Sequence, residues 1–308
     1  MIKDLFDGQN ANGVYLVRNV TKGVTNNNLT YLSVTLQDKT GTIEAKKWEV
    51  SASDNENIKI GKIIKITGDA YLYKEKMQIK IFTAESVDEN NASVESLLVE
   101  GPRPLEELIQ QFNFFKESIK DVDCKKILNN IFNKYYDSFI KYPAAMTNHH
   151  EFYHGLIAHT VSMCEVATMM ASHYTDINKD LLLTGCLLHD IGKVVEFTGV
   201  VATKYTVEGN LLGHISIGMS FINEAAKEEG ITSETPMLLK HMILAHHGKH
   251  EFGSPVLPLT KEALLLSMID EMDSKMATID KAMKDLEPGT FTDRIFSIDN
   301  RTFYKPKK

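Results

Sequence analysis

Cysteine is scarce in this sequence, and long apolar segments are missing. Only Cys124, Cys164 and Cys186 occur among 308 residues, without any Cys-x-x-Cys spacing. We therefore expect reduced, mostly buried thiols, and neither a disulfide framework nor a cysteine zinc site. No apolar run approaches the roughly 18 residues that a membrane span needs, and residues 1–7 lack the basic and then apolar profile of a secretory signal. These absences predict a cytoplasmic protein with no membrane partner.

The charge is divided unevenly along the chain. Residues 1–90 contain 12 Lys and Arg and 12 Asp and Glu, so the remaining residues carry the whole net charge of −7. This balance argues against a protein that simply coats nucleic acid, and it is compatible with a metal site whose cations offset carboxylates. We expect any nucleic-acid contact in the neutral N-terminal part or in the cleft between the two parts. The length fits two domains.

Residues 1–90 have the pattern of a small all-β domain. Alternating segments rich in β-branched and aromatic residues, at 14–17, 29–36, 42–48, 60–68 and 77–82, predict about five strands. Five short strands with almost no helix favour a Greek-key barrel. Strand 31–36, Asp38-x-x-Gly41, Ile43-x-Ala45-x-x-Trp48 and Gly61-Lys62-x-Ile64-x-Ile66-x-Gly68 resemble the nucleic-acid-binding OB-fold.

A barrel that binds a single strand needs aromatic rings for stacking and cations for the phosphates. We expect two or three of its five candidate aromatics to be exposed and the others to fill the core. Trp48 and Tyr73 are the predicted stacking residues, and Lys46 and Lys74 are the predicted phosphate contacts. The full candidate set is Tyr31, Trp48, Tyr71, Tyr73 and Phe82, with Lys46, Lys47, Lys74, Lys76 and Lys80.

The rest of the chain is predicted to be helical. Residues 91–149 form a polar linker, ending near the Gly101-Pro102-Arg103-Pro104 boundary, and then connecting helices. Apolar periodicity predicts further helices over 155–173, 179–190, 213–228, 234–247 and 260–284, in a domain that spans 150–285. The tail, 286–308, is expected to end as an extended arm from Ile295. The predicted fold is thus multi-domain, an all-β barrel followed by an all-α helical bundle.

Several of these apolar helices carry ionisable residues that need a partner. His159 lies within 155–161, His189 and Asp190 end the apolar run 181–188, and Asp270 follows 263–269. Burying such groups is costly unless they are paired, and no Lys or Arg lies within these runs. Imidazoles and carboxylates bind divalent metals, so a metal is the simplest account. The alternative is that each is a structural His or Asp.

The pattern His…His-Asp…Asp, with Gly192-Lys193 after the dyad, resembles the HD-domain phosphohydrolase superfamily over residues 150–285. The resemblance implies a first metal bound by His159, His189, Asp190 and Asp270, with Lys193 as a phosphate-facing cation or proton donor. His214 and His246 match its two-metal subset, in which Asp190 bridges both ions. His247 is expected to contact substrate, His154 to lie near the mouth, and Asp273 to hydrogen-bond a ligand. Lys193 as a helix cap, and His214 and His246 as structural residues, remain alternatives.

The joined architecture resembles the YhaM family of bacterial 3′→5′ exoribonucleases. That resemblance implies an enzyme with two divalent metals, expected to be Mn²⁺ with Fe or Mg²⁺ as alternatives, which hydrolyses single-stranded RNA to nucleoside 5′-monophosphates. Asp190, Lys193 and His247 would be its catalytic residues. Single-stranded DNA is an expected further substrate, and the exposed tail favours a homo-oligomer. Two rivals remain, an HD-type phosphodiesterase on cyclic dinucleotides or nucleotides and a non-enzymatic single-strand-binding protein.

Overall fold

The protein is described by a computed structural model over residues 1–25, 28–87, 94–99, 101–145, 152–201 and 203–307. The chain divides into two compact units, Met1–Glu100 with Gly199–Thr203, and Gly101–Thr198 with Lys204–Lys308. Within the described ranges, no helix combines the length and apolarity that crossing a bilayer requires. The boundaries at residues 90, 149 and 285 stay predictions.

The first unit is a closed five-stranded barrel, which confirms the predicted all-β fold. Its strands are β1 (Gly13–Val24), β2 (Thr30–Asp38), β3 (Gly41–Trp48), β4 (Ile63–Tyr73) and β5 (Lys76–Ser86). They are ordered β1-β2-β3-β5-β4 around the barrel. The β3–β5 pair is parallel and the other pairs are antiparallel. A short helix, α1 (Ala52–Asn57), follows β3.

Alternation along the strands places one set of side chains inside the barrel. Successive residues of a strand point to opposite faces, so the apolar positions of β2 and β3 all face the same core. These positions are Leu32, Val34, Leu36, Ile43 and Ala45, all at most 6% exposed. The β2–β3 turn is tied by Asp38, whose Oδ1 accepts from the Thr40 amide at 2.8 Å. The predicted Asp38-x-x-Gly41 turn is therefore present.

The second unit is an all-α bundle, as predicted. Its helices in the described part of the chain are α2 (Leu105–Ser118), α3 (Val122–Lys141), α4 (Gly155–His173), α5 (Lys179–Leu188), α6 (Lys193–Glu196), α7 (Val207–Glu228), α8 (Thr235–Ala245) and α9 (Lys261–Met283). One apolar core runs through them, and every residue of α5 from Leu181 to Leu188 is buried. The helix that ends at His189 and Asp190 is thus almost entirely buried.

The helix predicted over 213–228 begins earlier than expected. Helix α7 starts at Val207, because Thr206 caps it with a side-chain oxygen that accepts from the Gly209 amide at 2.8 Å. Gly213 interrupts the helix with φ 70° and ψ 155°, a conformation that favours glycine. The glycine obscured the first part of the helix in the sequence pattern. The other four predicted helices end within two residues of their observed limits.

The prediction of an extended arm from Ile295 onward is wrong. Residues 289–305, the C-terminal hairpin, fold back on themselves, with amide-to-carbonyl bonds from Gly289 to Lys305 (2.7 Å) and from Ile295 to Arg301 (2.9 Å). Ile298 is 2% exposed and anchors the turn. Lys305 Nζ donates to the carbonyl of Met283 (2.8 Å), the last residue of α9, and to that of Leu286 (2.6 Å) just beyond the helix. Helix-end carbonyls lack intrahelical donors, so a lysine is stabilising there.

Candidate functional site

Two predicted metal ligands occupy the ends of buried helices. His189 is the C-cap of α5 and His246 is the C-cap of α8. His189 Nδ1 lies 2.9 Å from the Cys186 carbonyl, and His246 Nδ1 lies 2.7 Å from the Ile243 carbonyl. Since a carbonyl only accepts, each Nδ1 must carry the proton. The Nε2 lone pair of each ring is therefore left for another partner.

The other three histidines of the site are held in the same way. His159 Nδ1 lies 2.7 Å from Asp273 Oδ2, and His214 Nδ1 lies 3.1 Å from Glu196 Oε1. His247 Nδ1 lies 2.8 Å from the Phe252 carbonyl. Such bonds to Nδ1 are the usual outer support of metal-binding histidines. The predicted hydrogen bond between Asp273 and His159 is present, and the role of His159 as a metal ligand stays a prediction.

Four predicted ligands meet between α4, α5 and α9. His159 Nε2 lies 3.2 Å from His189 Nε2 and 3.2 Å from Asp270 Oδ1. Asp190 Oδ2 lies 3.2 Å from His189 Nε2 and 3.9 Å from His159 Nε2. Both rings are fully buried. Two ring nitrogens and two carboxylates thus lie close together, and each can offer a lone pair. This is a donor set that suits a divalent cation.

The electrostatics of His159 point the same way. Burial opposes its charged form, but the hydrogen bonds that the ring donates to Asp270 and Asp273 outweigh that effect and raise the pKa of His159 to about 10. The two carboxylates thus stabilise a positive charge that lies between them. A proton supplies it in the metal-free protein, and a metal ion bound at Nε2 would replace that proton.

A second group of lone pairs lies on the other side of Asp190. His214 Nε2 is 3.5 Å and His246 Nε2 is 3.8 Å from Asp190 Oδ1. Among the described residues, these three atoms are the buried side-chain polar atoms that have no hydrogen-bond partner. Leaving buried acceptors unpaired costs free energy, and a shared cation removes that cost. The two oxygens of Asp190 therefore face two separate ligand groups.

His247 belongs to this second group. The ligand atoms of His214, His246 and His247 lie within 4.8 Å of one another, as do those of His159, His189 and Asp190. The His247 ring centroid is 4.3 Å from that of His246 and 5.3 Å from that of His214. Burial and the neighbouring His214 lower the pKa of His247, so the ring is neutral and able to act as a ligand. Its predicted role as a substrate contact stays a prediction.

Lys193 lies beside the carboxylate that faces both groups. Its Nζ donates to Asp190 Oδ2 at 2.6 Å, and the residue is 9% exposed. Burial would raise the pKa of Asp190, but Lys193 and His189 outweigh burial and hold that pKa well below its usual value. Asp190 is therefore ionised. The alternative role of Lys193 as a helix C-cap is not what the structure shows, because its ammonium bonds a carboxylate and not a helix-end carbonyl.

Glu196 is a site residue that the sequence reasoning missed. It is 6% exposed, and its Oε1 accepts from the His214 amide (2.9 Å) and lies 3.1 Å from His214 Nδ1. Burial opposes ionisation, but His214 lowers the pKa of Glu196. A carboxylate inside the apolar run Val194-Val195-Glu196-Phe197 was a visible signal. It is the same signal that identified Asp270.

Gly192 and His154 have packing roles around this site. A Cβ built on Gly192 would lie 2.0 Å from the His214 carbonyl oxygen, so glycine is required where this loop crosses α7. His154 Nδ1 bonds the Ile140 carbonyl, and the residue is buried. The expected position of His154 near the mouth stays a prediction; the structure shows a buried ring held against the last turn of α3.

The exposed aromatics of the barrel match the prediction. Trp48 (39% exposed), Tyr73 (52%) and Phe82 (47%) are exposed, while Tyr31 and Tyr71 are half-buried. Trp48 is paired with Tyr31 across β2 and β3, with ring centroids 4.9 Å apart. Both predicted stacking residues thus have rings that a base could reach.

The predicted phosphate contacts differ in exposure: Lys74 is exposed, Lys46 is half-buried and Lys47 is buried. Lys46 lies on the outer face of β3, with Nζ 2.6 Å from Ser33 Oγ and 5.3 Å from the Tyr31 ring centroid. Lys74 is exposed in the β4–β5 turn, 5.6 Å from the Tyr73 ring centroid. The prediction for Lys47 is wrong, since it is 8% exposed and its Nζ pairs with Asp54 at 3.3 Å. Alternation from Ile43 and Ala45 places Lys47 inside.

Comparison with known proteins gives two family matches and several relatives. Residues 156–275 match the HD domain, and residues 16–87 match the OB-fold nucleic acid binding domain. The chain is 42% identical over 300 residues to the 3′-5′ exoribonuclease YhaM of Geobacillus sp. (strain WCH70), covering 97% of this chain and 93% of that protein. It is 41% identical to the 3′-5′ exoribonuclease YhaM of Bacillus subtilis (strain 168), covering 97% and 96%.

Among solved structures, the second OB-fold domain of replication protein A from Methanococcus maripaludis is similar to part of the chain. The sequence identity is 16%, the TM-score is 0.25, and the match covers 29% of this chain and 93% of that chain.

Proposed function

This chain belongs to the YhaM family of 3′-5′ exoribonucleases, and we propose that it is a metal-dependent hydrolase that shortens single-stranded RNA from the 3′ end. The observation that carries the metal dependence is the set of unpaired buried atoms Asp190 Oδ1, His214 Nε2 and His246 Nε2. Together with the His159–His189–Asp270 group, they support two neighbouring cation sites that share Asp190.

The residues that would hold the ions follow from the two groups. His159, His189, Asp190 and Asp270 would hold one ion, and Asp190, His214 and His246 the other, with His247 close enough to complete it. Mixed imidazole and carboxylate ligands suit manganese or iron, and manganese is our choice. When bound, two such ions supply an activated water and neutralise charge on a phosphate ester.

The chain's own residues would orient the substrate. Lys193 is buried and its ammonium donates to Asp190, which supports a role in donating to a nonbridging phosphate oxygen. Asp273 and Glu196 keep His159 and His214 in fixed tautomers. On the barrel, Trp48 and Tyr73 would stack on bases, while Lys46 and Lys74 would pair with phosphates. Water attack at the terminal phosphodiester releases nucleoside 5′-monophosphates, and single-stranded DNA is a further substrate of this proposal.

A nuclease assay with end-labelled RNA tests this proposal. The protein is stripped with EDTA, reloaded with Mn²⁺, and incubated with 5′-labelled single-stranded RNA. We expect a ladder that shortens from the 3′ end and 5′-monophosphates as products. His189→Ala and Asp190→Ala should each abolish turnover and leave RNA affinity within about twofold, because stacking and phosphate contacts on the barrel are unchanged.

His173→Ala is the matched control, since His173 is an exposed histidine at the end of α4 and belongs to neither ligand group. It should retain wild-type turnover. Internal cuts, 3′-monophosphate products, or turnover that survives both EDTA and Asp190→Ala would contradict the proposal. Hydrolysis of cyclic dinucleotides in preference to RNA, measured in one competition assay, would favour the phosphodiesterase alternative.

A further inference from the structure

The C-terminal hairpin displays aromatic side chains that the core does not use. Phe296 is 86% exposed, Phe291 63% and Tyr304 44%. Phe291 and Tyr304 are partners in an antiparallel bridge, with ring centroids 5.1 Å apart. Isolated exposed apolar residues are ordinary, but three aromatic rings grouped on one small element indicate an interaction site.

The hairpin is a fixed support for these rings. Thr292 and Ile298, 5% and 2% exposed, face inward from its two ends. The Thr292 amide donates to the Phe303 carbonyl at 2.9 Å, and Lys305 ties the returning strand to the carbonyls of Met283, the last residue of α9, and Leu286 just beyond it. Rings on such a support lose little conformational entropy when a ligand stacks on them.

The charge of this segment is opposite to that of the rest of the chain. The hairpin itself, 289–305, has three basic and two acidic side chains, a net charge of +1, and Lys307 and Lys308 follow it directly. From Gly289 to Lys308 the net charge is therefore +3, and since the whole chain carries −7, the other residues carry −10. Arg294 and Arg301 are both exposed on the hairpin. Arg301 pairs with Asp299 at 3.0 Å on the surface, and such exposed pairs are weak enough to exchange for a phosphate.

We propose that the C-terminal hairpin is a second binding site for single-stranded RNA, in addition to the barrel. Bases stack on Phe296 and on the Phe291–Tyr304 pair, and phosphates pair with Arg294 and Arg301. The inference rests on the proposed function for the identity of the polyanion. Within the helical unit, α9 ends thirteen residues after Asp270, which corresponds to roughly 20 Å along the helix axis. A strand of several nucleotides spans that length.

Fluorescence anisotropy of the full-length protein with a labelled single-stranded RNA of about 25 nucleotides tests the site. EDTA is present throughout, so hydrolysis does not interfere. Phe296→Ala should weaken binding about tenfold, and Phe296→Tyr should restore it to within about twofold, because tyrosine also stacks. Replacing Arg294 and Arg301 by Ala should lower the slope of log affinity against log salt by about 1.4, at roughly 0.7 per lost phosphate contact.

The control combines Phe114→Ala with Lys126→Ala on α2 and α3. Phe114 is 63% exposed and Lys126 is exposed, so this pair removes similar groups from a different surface and should leave affinity and salt slope unchanged. The proposal of a hairpin site is overturned if Phe296→Ala binds RNA with the affinity of the wild type. It is also overturned if the variant changes only the oligomeric state in sedimentation velocity, which would identify a contact between copies.

The two ideas fail separately. If Mn²⁺-loaded wild-type protein does not shorten RNA, the proposed function fails whatever the hairpin binds. If the protein shortens RNA but the hairpin variants bind it normally, only the second site fails.

Discussion

Replacing Glu196 is the sharpest test of how the second ligand group is built. Its Oε1 accepts from the backbone amide of His214 and faces Nδ1 of the same ring. Glu196→Ala removes the buried oxygen that makes both contacts and frees the imidazole to rotate or change tautomer. Glu196→Gln keeps an acceptor oxygen of the same reach and removes only the charge. The pair of variants therefore separates orientation from electrostatics.

The size of the effect follows from these contacts. Losing an outer partner of a metal-binding histidine costs about 10–100-fold in metal affinity, which is about 1.4–2.8 kcal/mol. The loss of metal affinity in Glu196→Ala should be at the upper end of this range, because the carboxylate forms two hydrogen bonds and a bond to a charged group contributes about 1.5–3 kcal/mol. Glu196→Gln should weaken metal binding by about tenfold. Each variant should lose turnover in parallel with occupancy of the weaker site.

Calorimetric titration of Mn²⁺ into EDTA-stripped protein measures both binding events. Asp273→Asn is the matched comparison, because Asp273 holds His159 in the other group. We expect Glu196 variants to weaken one event and Asp273→Asn to weaken the other. The reasoning is refuted if folded Glu196→Ala binds two equivalents of Mn²⁺ with wild-type affinity, or if both variants weaken the same event.

Three further changes probe other parts of the molecule. Gly192→Ala should lower the unfolding free energy by about 3 kcal/mol in urea titrations, because the new Cβ meets the carbonyl of His214 and must displace α7. Asp54 has a lowered pKa because bonds from Ser51 and the nearby Lys47 outweigh the effect of burial; its folded pKa lies below the unfolded value of about 3.9. The stability that Asp54 contributes is then present above about pH 4 and lost as the pH falls through the folded pKa. The difference in unfolding free energy between wild type and Asp54→Asn should therefore be constant near neutral pH and shrink in acid. Trp48→Ala should weaken RNA binding by about 1–3 kcal/mol in anisotropy measurements. If the variant binds RNA as tightly as the wild type, Trp48 is not a stacking residue.

The local structure of this protein could be predicted well from its sequence. Alternation of apolar residues fixed the strands, and it also contained the evidence that Lys47 faces inward with Ile43 and Ala45. That case was missed because lysines were chosen by residue type and not by their phase along the strand. The hairpin was missed for another reason: its backbone bonds join residues such as Gly289 and Lys305, and neither has a strand pattern around it.

The candidate metal centre was predictable in its members but not in its geometry. Charged residues within apolar helices identified His159, Asp190 and Asp270, because burial without a partner is costly. Glu196 obeys the same rule and was overlooked in a short apolar run. The division of Asp190 between two groups could not be foreseen, since it depends on where α7 and α8 pack against the end of α5. Distances between helices that are far apart in sequence are set by tertiary packing.

His189 and His246 show how the end of a helix prepares a metal ligand. The last carbonyls of an α-helix have no intrahelical donor, and in a buried position they must find one. A histidine at the C-cap donates Nδ1 to the carbonyl three residues earlier, as both residues do. That one bond satisfies the backbone, fixes the tautomer and leaves Nε2 directed beyond the helix, where Asp190 follows His189 directly in the chain. An apolar helix that ends in His-Asp or His-His therefore has a structural reason to present lone pairs in a buried place, and a cation completes an arrangement that backbone hydrogen bonding has already oriented.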